Sequence, residues 1–311
     1  MSIFFALSGF LITYLLLDEK RRQEINIKNF YIRRMLRIWP LYYIYLILSI
    51  VTIVIFDLPF ESQSLFFYLF LLANVPFIFG GILPFLGHYW SIGVEEQFYS
   101  FWPWVIKKSE SILTITVGVC ISLFLLKCIF RLIDIKVNQG EMNWPYLIIH
   151  VTRFHCLLIG AIGAILYFKN NALFLRLTNN FLAQSVSWLV ILLVTLNKFH
   201  VASFLDNELI SLVTVFIIIG QIHKTKRILN LDYPILDFVG KISYGIYVIH
   251  PLVIFYLTKA IALSDKTDFW NYLLVYFSVF SVTILIAYLS YQLIEKRFLE
   301  LKGRYSTVRS S

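Results

Sequence analysis

Ile3-Phe4-Phe5-Ala6-Leu7-Ser8-Gly9-Phe10-Leu11-Ile12-Thr13-Tyr14-Leu15-Leu16-Leu17, closed at once by Asp18-Glu19-Lys20-Arg21-Arg22, decides the fold. An unbroken apolar run that ends in a block of charge is a segment leaving hydrocarbon for water. It has no basic region ahead of the apolar stretch and no small-residue cleavage site, so it reads as a membrane helix and not as a signal peptide. Comparable runs recur along the 311 residues, of which 59% are hydrophobic and 14% charged. With a mean hydropathy of +0.77, the chain is not an ordinary soluble globule. The runs lack strict alternation, which predicts helices, and hydrocarbon demands that every backbone group be paired internally. The expected fold is all-α, a polytopic membrane helical bundle.

The net charge of +9 arises from 27 basic and 18 acidic residues. The basic residues collect in particular connecting loops, as membrane orientation requires, so no nucleic-acid partner is expected. Placing Lys20 to Arg37 in the cytoplasm sends a second span outward over Leu41 to Phe56. The stretch from Leu65 to Phe79, followed by Gly80-Gly81 and Pro84, reads as re-entrant or interfacial, and His88 to Ile106 as the next crossing. Only that choice keeps Lys107-Lys108, Lys169, Arg176, His223 to Arg227 and Glu295 to Arg297 on one side. Further spans are expected at Ile112 to Phe130, Tyr146 to Phe168, Phe181 to Lys198, Glu208 to Ile222, Val239 to Ala260 and Asn271 to Leu293. About nine crossings result, with the C-terminus cytoplasmic. One domain is expected over 1–304, and residues 305–311 as a disordered tail.

Four constellations carry polar chemistry inside this apolar background. In Arg33-Arg34-Met35-Leu36-Arg37-Ile38-Trp39-Pro40, helical spacing puts Arg33, Arg34 and Arg37 on one face. Guanidinium forks match phosphate oxygens, so a nucleotide co-substrate such as a coenzyme A thioester suits them. Anchoring to lipid headgroups needs only their charge and is the simpler reading. In His88 through Tyr99, Glu95 and Glu96 sit inside an apolar segment flanked by His88, Trp90, Ser91, Gln97 and Tyr99. Ionisable groups at membrane depth mark working sites by default. On a helix His88, Ser91 and Glu95 would share a face, with Glu96 turned aside. Arg153, in His150-Val151-Thr152-Arg153-Phe154-His155, is a candidate partner for either carboxylate. The fourth, Gly240 to Pro251, holds small residues at 240, 243 and 245 for close helix approach, and His250-Pro251 at mid-membrane. No metal site is expected, because Cys120, Cys128 and Cys156 fit no ligand spacing.

These motifs, in this order, resemble the membrane-bound acyltransferase 3 family, which O-acylates bacterial surface polysaccharides and peptidoglycan. The matching pieces are Phe4 to Ile12, Arg33 to Tyr42, His88-Tyr89-Trp90-Ser91 with Glu95 to Tyr99, Gly240 to Tyr244 with Tyr247 and His250-Pro251, and Tyr291 with Ile294-Glu295-Lys296. The resemblance implies a ten-helix transferase moving an acyl group, acetyl the expected one, from cytoplasmic acyl-CoA to a glycan hydroxyl outside. The implied setting is the bacterial inner membrane, with membrane lipid and a glycan acceptor as partners and acyl-CoA as co-substrate, no cofactor being permanently bound. It implies that Arg34 and Arg37 are the arginine pair at the donor side and that Glu95 and Glu96 belong to the site that meets the acceptor. Taken with the constellations above, Arg33 is expected on the donor side too, Glu95, Glu96 and His88 in supporting catalytic roles, and Trp90, Ser91, Gln97, Arg153 and His250 in acceptor contacts, neither histidine standing in by position for the family's catalytic one. The family's first helix, with its arginine and catalytic histidine, has no counterpart in this sequence, which predicts an upstream segment or a truncated, inactive product. An exporter of a lipid-linked sugar, or a degenerate remnant without catalysis, are the rival expectations.

Overall fold

The computed structural model describes residues 1–137, 141–223, 227–260 and 269–305. Among them all the regular structure is helical, with no strand. In order the helices are α1 (Ser2–Arg22), α2 (Ile27–Ile55), α3 (Ser64–Leu69), α4 (Asn74–Phe79), α5 (Trp90–Lys108), α6 (Ile112–Val137) and α7 (Trp144–Thr152). There follow α8 (Phe154–Phe168), α9 (Ala172–Thr178), α10 (Phe181–Thr195), α11 (Asp206–Ile222), α12 (Pro234–Ala260), α13 (Phe269–Ser290) and α14 (Lys296–Lys302). A π-helical turn, Tyr291–Glu295, joins the last two. This is an all-α polytopic membrane bundle.

Among the described residues, six segments are long and apolar enough to cross a membrane, and the pair α9 and α10, bent by 58°, adds a seventh if it counts as one span. Helices stand at all nine positions where crossings were expected. Their boundaries differ in instructive ways. The second begins at Ile27, well before Leu41, and runs through Pro40 without breaking. Pro40 leaves the Leu36 carbonyl without its usual donor but does not end the helix. The expected crossing from His88 starts instead at Trp90, His88 lying on a 3-10 turn over Gly87–Tyr89. The segment expected over Tyr146 to Phe168 is divided at Arg153, which takes a left-handed conformation at φ 47°. Helices α3 and α4, six residues each, are too short to cross, in keeping with a re-entrant or interfacial Leu65 to Phe79. Gly303–Tyr305 closes the described chain as a 3-10 turn. Of the expected disordered tail over 305–311, Tyr305 instead belongs to this 3-10 turn; residues 306–311, and the expected inner-loop lysines at 224 and 226, lie outside the described residues.

The chain forms two compact units. The first comprises Met1–Ile25 and Ser91–Leu231. Its centre is α1 laid against α8, backbone to backbone. A Cβ on Gly9 would collide with the Leu157 carbonyl, and one on Gly160 with the Ala6 carbonyl, so both positions require glycine. Between membrane helices, where lipid removes the hydrophobic drive, such close approach supplies the packing energy. Helix α5 is tied to α1 by Trp102 Nε1 donating to Thr13 Oγ1 at 2.8 Å. Lys20 Nζ donates to the carbonyls of Ile106 and Ser109, satisfying acceptors at the end of α5.

The second unit comprises Asn26–Trp90 and Asp232–Ser311. Here an irregular connection, carrying α3, α4 and the 3-10 turn, leaves carbonyls that helix geometry does not pair and that need other donors. Tyrosines supply them. Tyr42 Oη donates to Tyr68 O at 2.7 Å, Tyr43 Oη to Leu69 O at 2.9 Å, Tyr45 Oη to Phe85 O at 3.2 Å and Tyr247 Oη to His88 O at 2.6 Å. Each ring is apolar enough for lipid while its hydroxyl completes the backbone.

Candidate active site

The arginine cluster lies in the second unit on α2, at helical spacing as the sequence predicts. Arg33 Nη1 donates to the Tyr305 carbonyl at 2.8 Å, and the Arg34 guanidinium stands 5.7 Å from the Phe30 ring centre. Arg37 is exposed one turn further on. Beside it, Tyr244 Oη from α12 donates to Ile38 O at 2.8 Å. Three cations along one partly exposed stretch of helix form a surface that a polyanion can engage through several forks at once.

The same unit gathers His88 and His250, which the sequence places 162 residues apart. Their ring centres are 5.4 Å apart, and the His88 ring also meets Tyr45, Tyr89 and Tyr247 at 5.8, 5.0 and 5.1 Å. Pro251 explains how His250 is held. Lacking an N–H, it leaves the Tyr247 carbonyl open, and His250 Nδ1 lies 2.8 Å from that oxygen. A carbonyl only accepts, so Nδ1 carries the proton. Neutral His250 therefore keeps its lone pair on Nε2, the arrangement a proton acceptor needs. Trp90 is in this unit too, its ring stacked on Phe77 at 5.3 Å. Tyr45 also walls a cavity of about 530 Å³ whose lining is almost wholly hydrocarbon, among it Leu41, Leu48, Ile249 and Ile286.

Ser91, Glu95, Glu96 and Gln97 belong to the first unit, on α5. The two carboxylates and Gln97 are half-buried, and Ser91 is buried. Tyr99 Oη donates to Glu95 Oε2 at 3.2 Å and also hydrogen-bonds Ser8 Oγ on α1. Arg153, at the α7–α8 break, donates through Nε to His150 O at 3.2 Å and through Nη1 to Ser2 Oγ at 3.4 Å. The left-handed residue interrupts the helix within a segment that still counts as one candidate span, Trp144–Phe168, and its own side chain bonds the last turn of α7.

The sequence reading passed over a second polar centre in this unit. Lys127 is fully buried, and its Nζ lies 2.7 Å from Glu208 Oε1 and 2.8 Å from Phe204 O. His155 Nε2 is 3.0 Å from the same carboxylate oxygen. The cluster joins α6, α8 and α11. A single lysine inside the otherwise apolar Ile112 to Phe130 was the available signal.

The sequence matches the family model described as an acyltransferase domain over residues 1–292. Among curated relatives, a Staphylococcus aureus (strain COL) protein named a "putative O-acetyltransferase" is 31% identical over 327 residues, covering 95% of this chain and 51% of that protein. The peptidoglycan O-acetyltransferase OatA of Listeria monocytogenes is 28% identical over 323 residues, covering 95% of this chain and 50% of its own length. The chain thus spans about half the length of the curated relatives it matches. No solved structure matches it. Since the matched segment takes in the arginine stretch, the paired carboxylates and both histidines of the second unit, the chain belongs to the acyltransferase 3 family.

Proposed function

We propose that the protein is a membrane O-acyltransferase that moves an acetyl group from cytoplasmic acetyl-CoA to a hydroxyl of an extracytoplasmic glycan. It would act from the inner membrane of a bacterial cell, its C-terminus cytoplasmic. The observation that carries this reading is the run of three arginines on one stretch of α2, within a chain of the acyltransferase family. Arg33, Arg34 and Arg37 engage the diphosphate and 3′-phosphate of the donor. A base takes the proton of the glycan hydroxyl while its oxygen attacks the thioester carbon, the C–S bond breaks, and the thiolate leaves and is protonated. Such proton transfer contributes about 10²–10⁴-fold. Glu95, Glu96 and His88 support this step, while Trp90, Ser91, Gln97, Arg153 and His250 orient the acceptor. The names of the relatives favour peptidoglycan as the acceptor.

The test uses radiolabelled acetyl-CoA and membranes carrying the full-length protein. Label on the glycan is the expected result. Glycan moved across the membrane without label would overturn the transferase reading in favour of an exporter. Unchanged acylation after Arg37→Ala and Glu95→Gln would remove those residues from the site.

A further inference from the structure

Two groups from the end of the described chain lie on elements that pack against the arginine-bearing helix α2. The first is Glu295. Its carboxylate is only 6% exposed, and Ser290 Oγ lies 3.4 Å from Oε1. The approach to it is shaped by glycine. A Cβ on Gly245 of α12 would lie 3.3 Å from Glu295 Oε1 and 3.3 Å from the Ala287 Cβ, tighter than ordinary contact. Helix α2, which carries the arginines, packs against both the π turn that holds Glu295 and α14.

The second is the Tyr305 carbonyl, which accepts from Arg33 Nη1 at 2.8 Å across 272 residues of sequence. Backbone geometry supports the same reading. Between α13 and α14 the chain takes one π-helical turn, Tyr291–Glu295. Such a turn inserts a residue and re-aims the side chains after it, and it recurs at functional sites. Without it, Glu295 would sit on a different face of the helix.

A cluster that served only to attract lipid headgroups would need charge and no aim. Aim matters when planar forks must meet phosphate oxygens two at a time. Among the described residues, none of the ion pairs closes on Arg37, which leaves its fork open.

We infer that the segment Tyr291–Tyr305 is the positioning device of the arginine cluster, Glu295 orienting Arg37 and the Tyr305 carbonyl orienting Arg33 toward the phosphates of the acyl donor. This rests on the donor-side reading of the arginines. Glu295 and Tyr305 are positioning residues acting through guanidinium groups.

The test is coenzyme A binding by calorimetry to the full chain in lipid nanodiscs. Glu295→Gln is expected to weaken binding on the order of 10-fold, and Glu295→Asp to recover most of it. In an Arg37→Ala background the same Glu295→Gln change should add less than about 2-fold, because its route is gone. Gly245→Ala, which presses on Oε1 without altering charge, is a second probe and should weaken binding several-fold. If Glu295→Gln binds as the unaltered protein does, or weakens binding equally with Arg37 removed, the positioning role is wrong. Should Arg37→Ala itself leave affinity unchanged, the donor-side reading fails and this inference with it. A loss with Arg37→Ala but none with Glu295→Gln or Gly245→Ala would sink the inference alone.

Discussion

Lys127 and Arg37 are both cations on long apolar helices, yet their surroundings are opposite. Lys127 is fully buried and closed by Glu208 at 2.7 Å, with His155 on the same oxygen. Arg37 is exposed, and among the described residues no ion pair closes on it. In the first unit, charge is consumed inside the protein and joins three helices. In the second, it is left available. The lesson is that a charged residue in a membrane segment must be judged by what its partners leave unsatisfied. Its presence alone does not separate a structural lock from a binding surface.

The largest effect should come from breaking the lock. Lys127→Ala strands a buried carboxylate and is expected to cost about 3–5 kcal/mol in reversible unfolding from mixed micelles. Replacing both partners, Lys127→Met with Glu208→Gln, should recover most of that loss. A single substitution costing under about 1 kcal/mol would break the contrast, because the pair would then be no lock at all.

Helix contact in the same unit ranks next. Gly160→Val drives a side chain into the Ala6 carbonyl and should cost about 1–3 kcal/mol or more. The control is Gly118 on α6, where an added Cβ meets nothing within 4 Å. Gly118→Ala should leave stability unchanged or raise it by up to about 1 kcal/mol. Equal losses at both glycines would show that α1 and α8 do not depend on close approach.

A smaller and more diagnostic change sharpens the other side. Arg34→Lys keeps the charge but loses the fork, and is expected to weaken coenzyme A binding about tenfold, or about 1.4 kcal/mol, with no change in unfolding. Full retention of affinity would favour simple headgroup anchoring.

The smallest effect belongs to an exposed pair. Glu24 lies 2.7 Å from Lys107, and the hydrogen-bonded ammonium holds its carboxyl below the ordinary value of 4.5. A lowered carboxyl contributes stability that is complete above about 4.5 and lost as pH falls through the folded value. Glu24→Gln should therefore flatten only the acid end of a stability–pH profile. A change at neutral pH larger than that of Lys127→Ala would reverse the ranking of buried and exposed pairs.

Much of this was legible beforehand, for identifiable reasons. Apolar runs ending in charge mark helices because hydrocarbon permits little else, and the spacing of Arg33, Arg34 and Arg37 is read from helical geometry alone. Lys127 went unremarked because one lysine barely shifts the hydropathy of its window, and its partner is 81 residues away. Glu295 stands beside Lys296 and Arg297 and so reads as a loop charge, although the π turn buries it. The left-handed Arg153 has no signal in the sequence, because arginine carries no preference for that conformation.

By itself, the sequence determined that this is a helical membrane protein and which residue types are available for chemistry, because solvation in lipid acts on each segment locally. The tertiary structure decided which charges are spent and which are open. It closed Lys127 on Glu208, brought His250 against His88, and held Arg33 from Tyr305. Those outcomes depend on groups far apart in the chain meeting within hydrogen-bond or ring-contact distance, and no local pattern encodes such meetings.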